Sequence, residues 1–186
     1  MKKAAIMLAD GFEEIEALSP FDVLKRAGIK CNLISIKNDL YVKGAHGVIV
    51  KSDRLLEEVS ELKEYDMIVL PGGMPGAKYL SEDKRVLSIL NEFNEKGKFI
   101  AAICASPALV LTKAGVIDNK KVTCYPGMEE NFGNSIYVKE NVVIDGNIIT
   151  SRGPATALQF SYKLLKVLGY NPQNIKDGML YQQKID

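Results

Sequence analysis

Lys98-Phe99-Ile100-Ala101-Ala102-Ile103-Cys104-Ala105-Ser106-Pro107 is the stretch on which the reading of this chain turns. Lys98 to Ile103 has the apolar, uninterrupted character of a strand buried on both faces. Ala105-Ser106-Pro107 has the small residues and early proline of a helix start. A strand that turns at once into a helix, with a reactive residue at the turn, is the layout of a nucleophile elbow. There a thiol would meet the positive end of a helix dipole and unpaired N–H groups, both of which favour thiolate. Cysteine is also among the residues most often buried in cores, and an inert Cys104 fits the same pattern. Cys31, inside a strand, and Cys124 read as core.

The strand pattern repeats upstream in Ala4 to Ala9, Cys31 to Ile36 and Asp66 to Leu70. Turn signals close the first and last of these at Asp10-Gly11 and Pro71-Gly72-Gly73. Between them Ser19-Pro20-Phe21-Asp22 has the form of an N-cap followed by a first-position proline, with Gly28 as the stop. A helix that begins near Glu13 and carries Pro20 as a kink fits equally. Ser81 is expected to cap a helix in which Val86, Ile89, Leu90 and Phe93 share one face and Gly97 ends the run. Tyr41-Val42 and Val48-Ile49-Val50 flank Gly44-Ala45-His46-Gly47 as a small antiparallel ribbon. Val122 to Cys124 is a brief strand, and Asp145-Gly146 joins Val142–Ile144 to Asn147–Thr150 in a hairpin. Gly153-Pro154 opens the last long helix, which Gly169 ends. The expectation is one α/β domain over residues 1–186: a flavodoxin-like three-layer sandwich with a mostly parallel sheet and a small β-hairpin. Ligands bind such sheets beyond the carboxyl ends of the strands, so Asp10-Gly11, Gly72-Gly73 and Cys104 should share one crevice.

Composition narrows the chemistry. Lys plus Arg is 24 and Asp plus Glu is 23, so no basic excess points to nucleic acid or anionic lipid. Apolar runs are too short for a membrane span, and a cytoplasmic protein with no membrane or nucleic-acid partner is expected. Three cysteines without a CxxC spacing indicate a reducing compartment and no structural metal. The single histidine, His46, excludes most Ser-His-Asp and Cys-His triads unless it is itself the base. Gly72 and Gly73 form a tight turn, or bring backbone N–H groups to an oxyanion beside the N–H of Ala105. The acidic run Asp10 to Glu16 complements a helix dipole, or turns one carboxylate into the crevice. Ser151-Arg152-Gly153-Pro154 starts a helix, or shapes the same mouth.

Taken together, Asp10-Gly11-Phe12-Glu13-Glu14-Ile15-Glu16, Leu70-Pro71-Gly72-Gly73, Ala101-Ala102-Ile103-Cys104-Ala105 and Thr150-Ser151-Arg152-Gly153-Pro154 resemble the ThiJ/PfpI superfamily. Within it they resemble the branch of the parkinsonism-associated protein deglycase and bacterial YajL. The resemblance implies a homodimer whose reactive cysteine, Cys104, is hydrogen-bonded by a protonated glutamic acid, Glu16. It makes the N–H groups of Gly73 and Ala105 donors to an oxyanion. It also implies a cofactor-free activity on methylglyoxal, glyoxal or early glycation adducts of proteins, linked to carbonyl or oxidative stress. The alternative is a redox sensor or chaperone that uses the same oxidisable cysteine. An Arg pair near the family's dimer interface is matched by Arg26 and, at the second place, His46. Tyr125 stands where the parkinsonism-linked relative has a histidine, so an imidazole mechanism is not available there. The histidine that PfpI-type proteases carry after the nucleophile is Ala105 here. No histidine follows His46 to serve an amidotransferase, so peptidase and amidotransferase activities are not expected.

Overall fold

The structure, a computed structural model, describes residues 1–59 and 64–181. In chain order the elements are β1 (Lys3–Leu8), α1 (Glu14–Arg26), β2 (Lys30–Ser35), β3 (Tyr41–Lys43), β4 (Ile49–Lys51), β5 (Arg54–Leu55), β6 (Met67–Leu70), α2 (Gly76–Glu82), α3 (Lys84–Glu95) and β7 (Phe99–Ile103). A π-helical turn, Pro107–Leu111, then runs into α4 (Thr112–Ala114). β8 (Lys121–Val122), β9 (Ile136–Tyr137), β10 (Val142–Asp145), β11 (Ile148–Ser151), α5 (Ala157–Val167) and α6 (Gln173–Gly178) follow.

Seven strands form the central sheet in the order β10-β11-β7-β6-β1-β2-β5. All neighbours are parallel except the β10–β11 hairpin at one edge. Successive side chains of a strand point to opposite faces, and both faces here are covered. Ala5, Met7, Ile68, Leu70, Ile100 and Ala102 enter one core with Leu80, Leu90 and Phe93 of α2 and α3. Ala4, Ile6, Met67, Val69, Ala101 and Ile103 enter the other with Val23 and Leu24 of α1 and Phe160 and Leu164 of α5. This double burial is why the strands are continuously apolar rather than alternating.

Several boundaries differ from the sequence expectation. Of the two starts open for the first helix it takes the earlier one: it begins at Glu14, with Glu13 as its cap accepting the Glu16 N–H, and it carries Pro20 in its interior. The Ser19 cap is therefore not used. Ser81 does not cap α3 either: it lies inside α2, where its hydroxyl donates back to the Lys78 carbonyl, and Asp83 caps α3 by accepting from Arg85 N. A carboxylate that also grips the Arg85 guanidinium there outcompetes the serine. Gly153-Pro154 opens a short 3-10 turn, Pro154–Thr156, that leads into α5. β5 and α6 are elements that the sequence pattern did not single out.

Candidate active site

Three parallel strands deliver the site. In the β6–β7 register Leu70 lies beside Ala102, and in the β7–β11 register Ile103 lies beside Ser151. Pro71-Gly72-Gly73, Cys104 and Arg152 therefore leave the sheet side by side. The carbonyl of Ser151 accepts from Cys104 N at 3.0 Å, and the Cys104 carbonyl accepts from Tyr125 N at 2.9 Å. The hydroxyl of Ser106, fully buried, donates to the Pro71 carbonyl at 2.5 Å and ties the turn after β6 to the turn after β7.

Cys104 has φ of 65°, a left-handed conformation that costs a non-glycine residue about 1–3 kcal/mol. The bonds at its N–H and carbonyl and the anchored Ser106 hold it there. Of the three cysteines only Cys104 is partly accessible; Cys31 and Cys124 are buried, at 1% and 0% exposure. Gly72 is required at this place: a Cβ on it would lie 2.6 Å from the Cys104 Cβ, 2.7 Å from Glu16 Oε2 and 3.0 Å from Ala105 N.

Glu16 is fully buried on α1. Its Oε2 accepts the Gly72 N–H at 2.8 Å, while Oε1 is buried without a partner of good hydrogen-bond geometry. Burial pushes its carboxyl up to about 7, against hydrogen bonds from Cys104 and Gly72 that pull it down. The expectation of a depressed thiol is opposed by the same dryness. Burial, then the charge of the Glu16 carboxylate and the hydrogen bond to it, push Cys104 up to about 12, while the N–H groups of Gly73 and Ala105 pull it down. Two negative charges cannot sit side by side in a dry pocket, so the pair carries one. With the proton on Glu16, its charge no longer opposes a thiolate and its O–H becomes a donor to sulfur.

The crevice over Cys104 is a cavity of about 430 Å³ lined by Gly73, Met74, Ala105, Tyr125, Pro126, Gly127 and Met128. A second lobe of about 230 Å³ shares Tyr125 and Pro126 and continues to Arg152, Gly153 and Pro154. Met74, Pro126, Gly127 and Met128 were not singled out from the sequence; as loop residues without chemistry of their own they carry no local signal. Arg26 and His46 are not brought to this crevice. Arg26 sits ten residues beyond Glu16, about 15 Å along the helix, and pairs with Asp22 at 2.7 Å. His46 is exposed on the β3–β4 loop, where its ring Nδ1 and its N–H each lie 2.7 Å from the Glu14 carboxylate. With Glu13 these two make the one cluster of potential metal-binding side chains among the described residues, and Cys104 is not part of it.

No helix among the described residues is long and apolar enough to cross a membrane. The profile of the DJ-1/PfpI family matches residues 2–167. Protein dj-1beta of Drosophila melanogaster is 39% identical over 183 residues, covering 96% of this chain and 97% of that protein. The glutathione-independent glyoxalase DJ-1 of Schizosaccharomyces pombe is 34% identical over 175 residues, 89% of this chain and 91% of that protein. The chain spans only 36% and 41% of the length of two Arabidopsis thaliana relatives, Protein DJ-1 homolog B and homolog A. Among solved structures, oxidized Toxoplasma gondii DJ-1 superposes with a TM-score of 0.93 at 37% identity, over 97% of this chain and 99% of that one. Motif, fold and site geometry agree with these matches, and the chain belongs to the DJ-1/PfpI family.

Proposed function

We propose that this protein is a cysteine-dependent, cofactor-free enzyme acting on α-oxoaldehydes, methylglyoxal or glyoxal, or on the early adducts they form with proteins. The observation that carries the reading is the pairing of a left-handed, accessible Cys104 with a fully buried Glu16 whose carboxyl is raised to about 7. A group poised there can both give and take a proton at neutral pH. The glyoxalase name of the fission-yeast relative supports the same chemistry.

In this reading the pair enters with its one proton on Glu16: the Cys104 thiolate bonds the aldehyde carbon, and the carbonyl oxygen, held by the Gly73 and Ala105 N–H groups, takes the proton of Glu16. The Glu16 carboxylate then removes the proton from that same carbon and returns it to the neighbouring carbon as the enediolate collapses to the thioester. Water cleaves the resulting thioester. The sum is oxoaldehyde plus water to 2-hydroxy acid, with the Cys104–Glu16 pair again holding one proton. No imidazole takes part, in keeping with Tyr125 at the mouth.

The dimer that the family resemblance implies is supported by an apolar groove on α1, where exposed Ile15 lies with Leu18, Leu158 and Met179. A redox-sensing role is the second reading. It is favoured by the two backbone donors aimed at a partly accessible sulfur, which would also hold a cysteine sulfinate, and by the oxidised form of the Toxoplasma relative.

The test is methylglyoxal consumption with chiral analysis of the lactate formed, beside Cys104→Ser. Enzymatic lactate of one hand, abolished in the variant, is the expected result. Racemic or absent lactate from a protein whose Cys104 is reduced and alkylatable overturns the enzyme reading in favour of the sensor. Brief iodoacetamide treatment at neutral pH should label Cys104 and neither Cys31 nor Cys124. Label on either buried cysteine would contradict the elbow assignment.

A further inference from the structure

Arg152 is the charged residue next to the nucleophile that the mechanism leaves unused. It follows β11 directly, as Cys104 follows β7, and Ser151 is the register partner of Ile103. Neighbouring strands run about 4.8 Å apart, so the two residues leave the sheet as neighbours. The Arg152 side chain is partly buried, makes no hydrogen bond or ion pair with a described residue, and has its Nε shut away from solvent without an acceptor. A buried guanidinium N–H without an acceptor is costly to keep.

What surrounds it is a shaped space rather than a packed core. The lobe of about 230 Å³ beside Arg152 opens past Tyr125 and Pro126 into the crevice over Cys104. The Tyr125 ring forms the shared wall, lying about 3.5 Å from where a Gly153 Cβ would stand. One carboxylate that could compete is Glu129, since the Cys124 thiol feels Glu129 and Arg152 with opposite signs. Glu129 is not paired with Arg152, however; its Oε2 accepts the Gly127 N–H at 2.6 Å.

We infer that Arg152 is an anion-recognising residue beside the elbow, and that the carbonyl substrate carries a carboxylate on the side remote from its aldehyde. A single planar guanidinium, with no lysine in the lobe, matches the one charge and two oxygens of a carboxylate. The substrate class rests on the aldehyde reading of Cys104; the anion subsite does not. Methylglyoxal would leave the subsite empty, whereas a longer oxoaldehyde ending in a carboxylate would span both lobes.

The experiment has two arms. In the first, Cys104 is alkylated by iodoacetate and by iodoacetamide in wild type, Arg152→Gln and Arg152→Lys. Both reagents meet the same thiolate, so their rate ratio cancels any change in thiol ionisation and reads the charge at the mouth. Losing one charge-assisted bond should lower the iodoacetate-to-iodoacetamide ratio about tenfold in Arg152→Gln and by less in Arg152→Lys. An unchanged ratio in both variants overturns the subsite and leaves Arg152 satisfied elsewhere, with Glu129 the first suspect. In the second arm, kcat/KM is compared for 4,5-dioxopentanoate and its uncharged analogue 2-oxopentanal. Arg152→Gln should lower the first about tenfold and hold the second within about threefold. Equal losses on both substrates overturn the specificity role. Turnover of neither by wild type, with the alkylation ratio still dependent on Arg152, overturns the aldehyde reading and keeps the anion subsite.

Discussion

Glu14 and Glu16 sit two residues apart on the first turn of α1, and the structure treats them in opposite ways. Glu16 faces the sheet, under Gly72 and Cys104, where burial raises its carboxyl to about 7. Glu14 faces the β3–β4 ribbon; burial raises its carboxyl too, but the hydrogen bonds and charge of His46 outweigh this and leave it below its ordinary value. The same residue type on the same turn becomes a proton carrier on the dry side and, although only 8% exposed, a fixed anion on the wet side, where it is paired with the exposed His46. Partner chemistry decides the outcome: Glu16 has only a backbone N–H and a thiol, Glu14 has an imidazole that charges with it.

The largest expected consequence is in the pH dependence of stability. A carboxyl raised from 4.5 to about 7 on folding binds its proton more tightly in the native state, so its stabilising effect is complete below pH 4.5 and is lost as pH rises to about 7. That range corresponds to about 3 kcal/mol. Subtracting the urea-unfolding free energies of Glu16→Gln from those of wild type across pH 4 to 8 should therefore give a curve that falls by this order. Glu14→Gln should give a difference curve of the other sign at the acid end. There the lowered Glu14 carboxyl stabilises above 4.5 and loses that contribution as pH falls through its folded value. His46, raised above 6.5 by the same pair, adds a loss as pH rises through its own folded value. A flat Glu16 difference curve would mean that folding leaves the proton affinity of this carboxyl unchanged and that the pocket does not hold it dry.

The dry side was largely legible in the sequence. Continuous apolar runs in β1, β6 and β7 can be explained only by burial on both faces, and their ends had to meet. The elbow could be read because its parts are local: strand, reactive residue, small residues, proline. Glu16 could not be chosen from Glu13, Glu14 and Glu16 by spacing, because the helix start was ambiguous by six residues, Glu13 or Ser19 as cap; the family resemblance selected it. What fixes the start is Glu13 acting as cap, a role more often filled by serine, threonine, asparagine or aspartate. Ser81 misled for the converse reason, since Asp83 two residues later was the stronger acceptor. The wet side, where His46 meets Glu14 across 32 positions of chain, left no sequence signal. Nor did the burial that opposes a low Cys104 pKa, because dryness belongs to the assembled crevice.

Next in size is Gly72→Ala. The new methyl would overlap the Cys104 Cβ, the Ala105 backbone nitrogen and a Glu16 oxygen that already holds the Gly72 N–H. Two of these are atoms of a turn locked by Ser106 and Tyr125, so relief requires moving β6 against β7. Overpacking of this kind costs about 2–3 kcal/mol. It should also slow alkylation of Cys104 by displacing its sulfur. Chemical denaturation and iodoacetamide kinetics on one preparation check both effects. A stable variant with wild-type alkylation would show that the elbow is softer than its contacts imply.

The smallest effect belongs to the matching change on the wet side. In Gly44→Ala a Cβ would lie 2.3 Å from Glu14 Oε1 and 2.6 Å from its Cδ, closer than any contact at Gly72. Distance alone would rank this substitution as the worse of the two. The atoms it meets, however, are the far end of a flexible side chain, itself largely buried but paired with His46, whose exposed loop can follow it. The Glu14 carboxylate can swing toward solvent and keep its charge hydrated, whereas Glu16 has nowhere to go. Gly44→Ala should therefore cost less than about 1 kcal/mol. It should loosen the His46 contact enough to bring the imidazole pKa back toward 6.5, a shift readable by NMR titration of the single histidine. A cost equal to that of Gly72→Ala, with an unmoved His46 titration, would mean that both sides of α1 are equally rigid. The opposite behaviour of Glu14 and Glu16 would then be a matter of partners alone and not of the freedom to move.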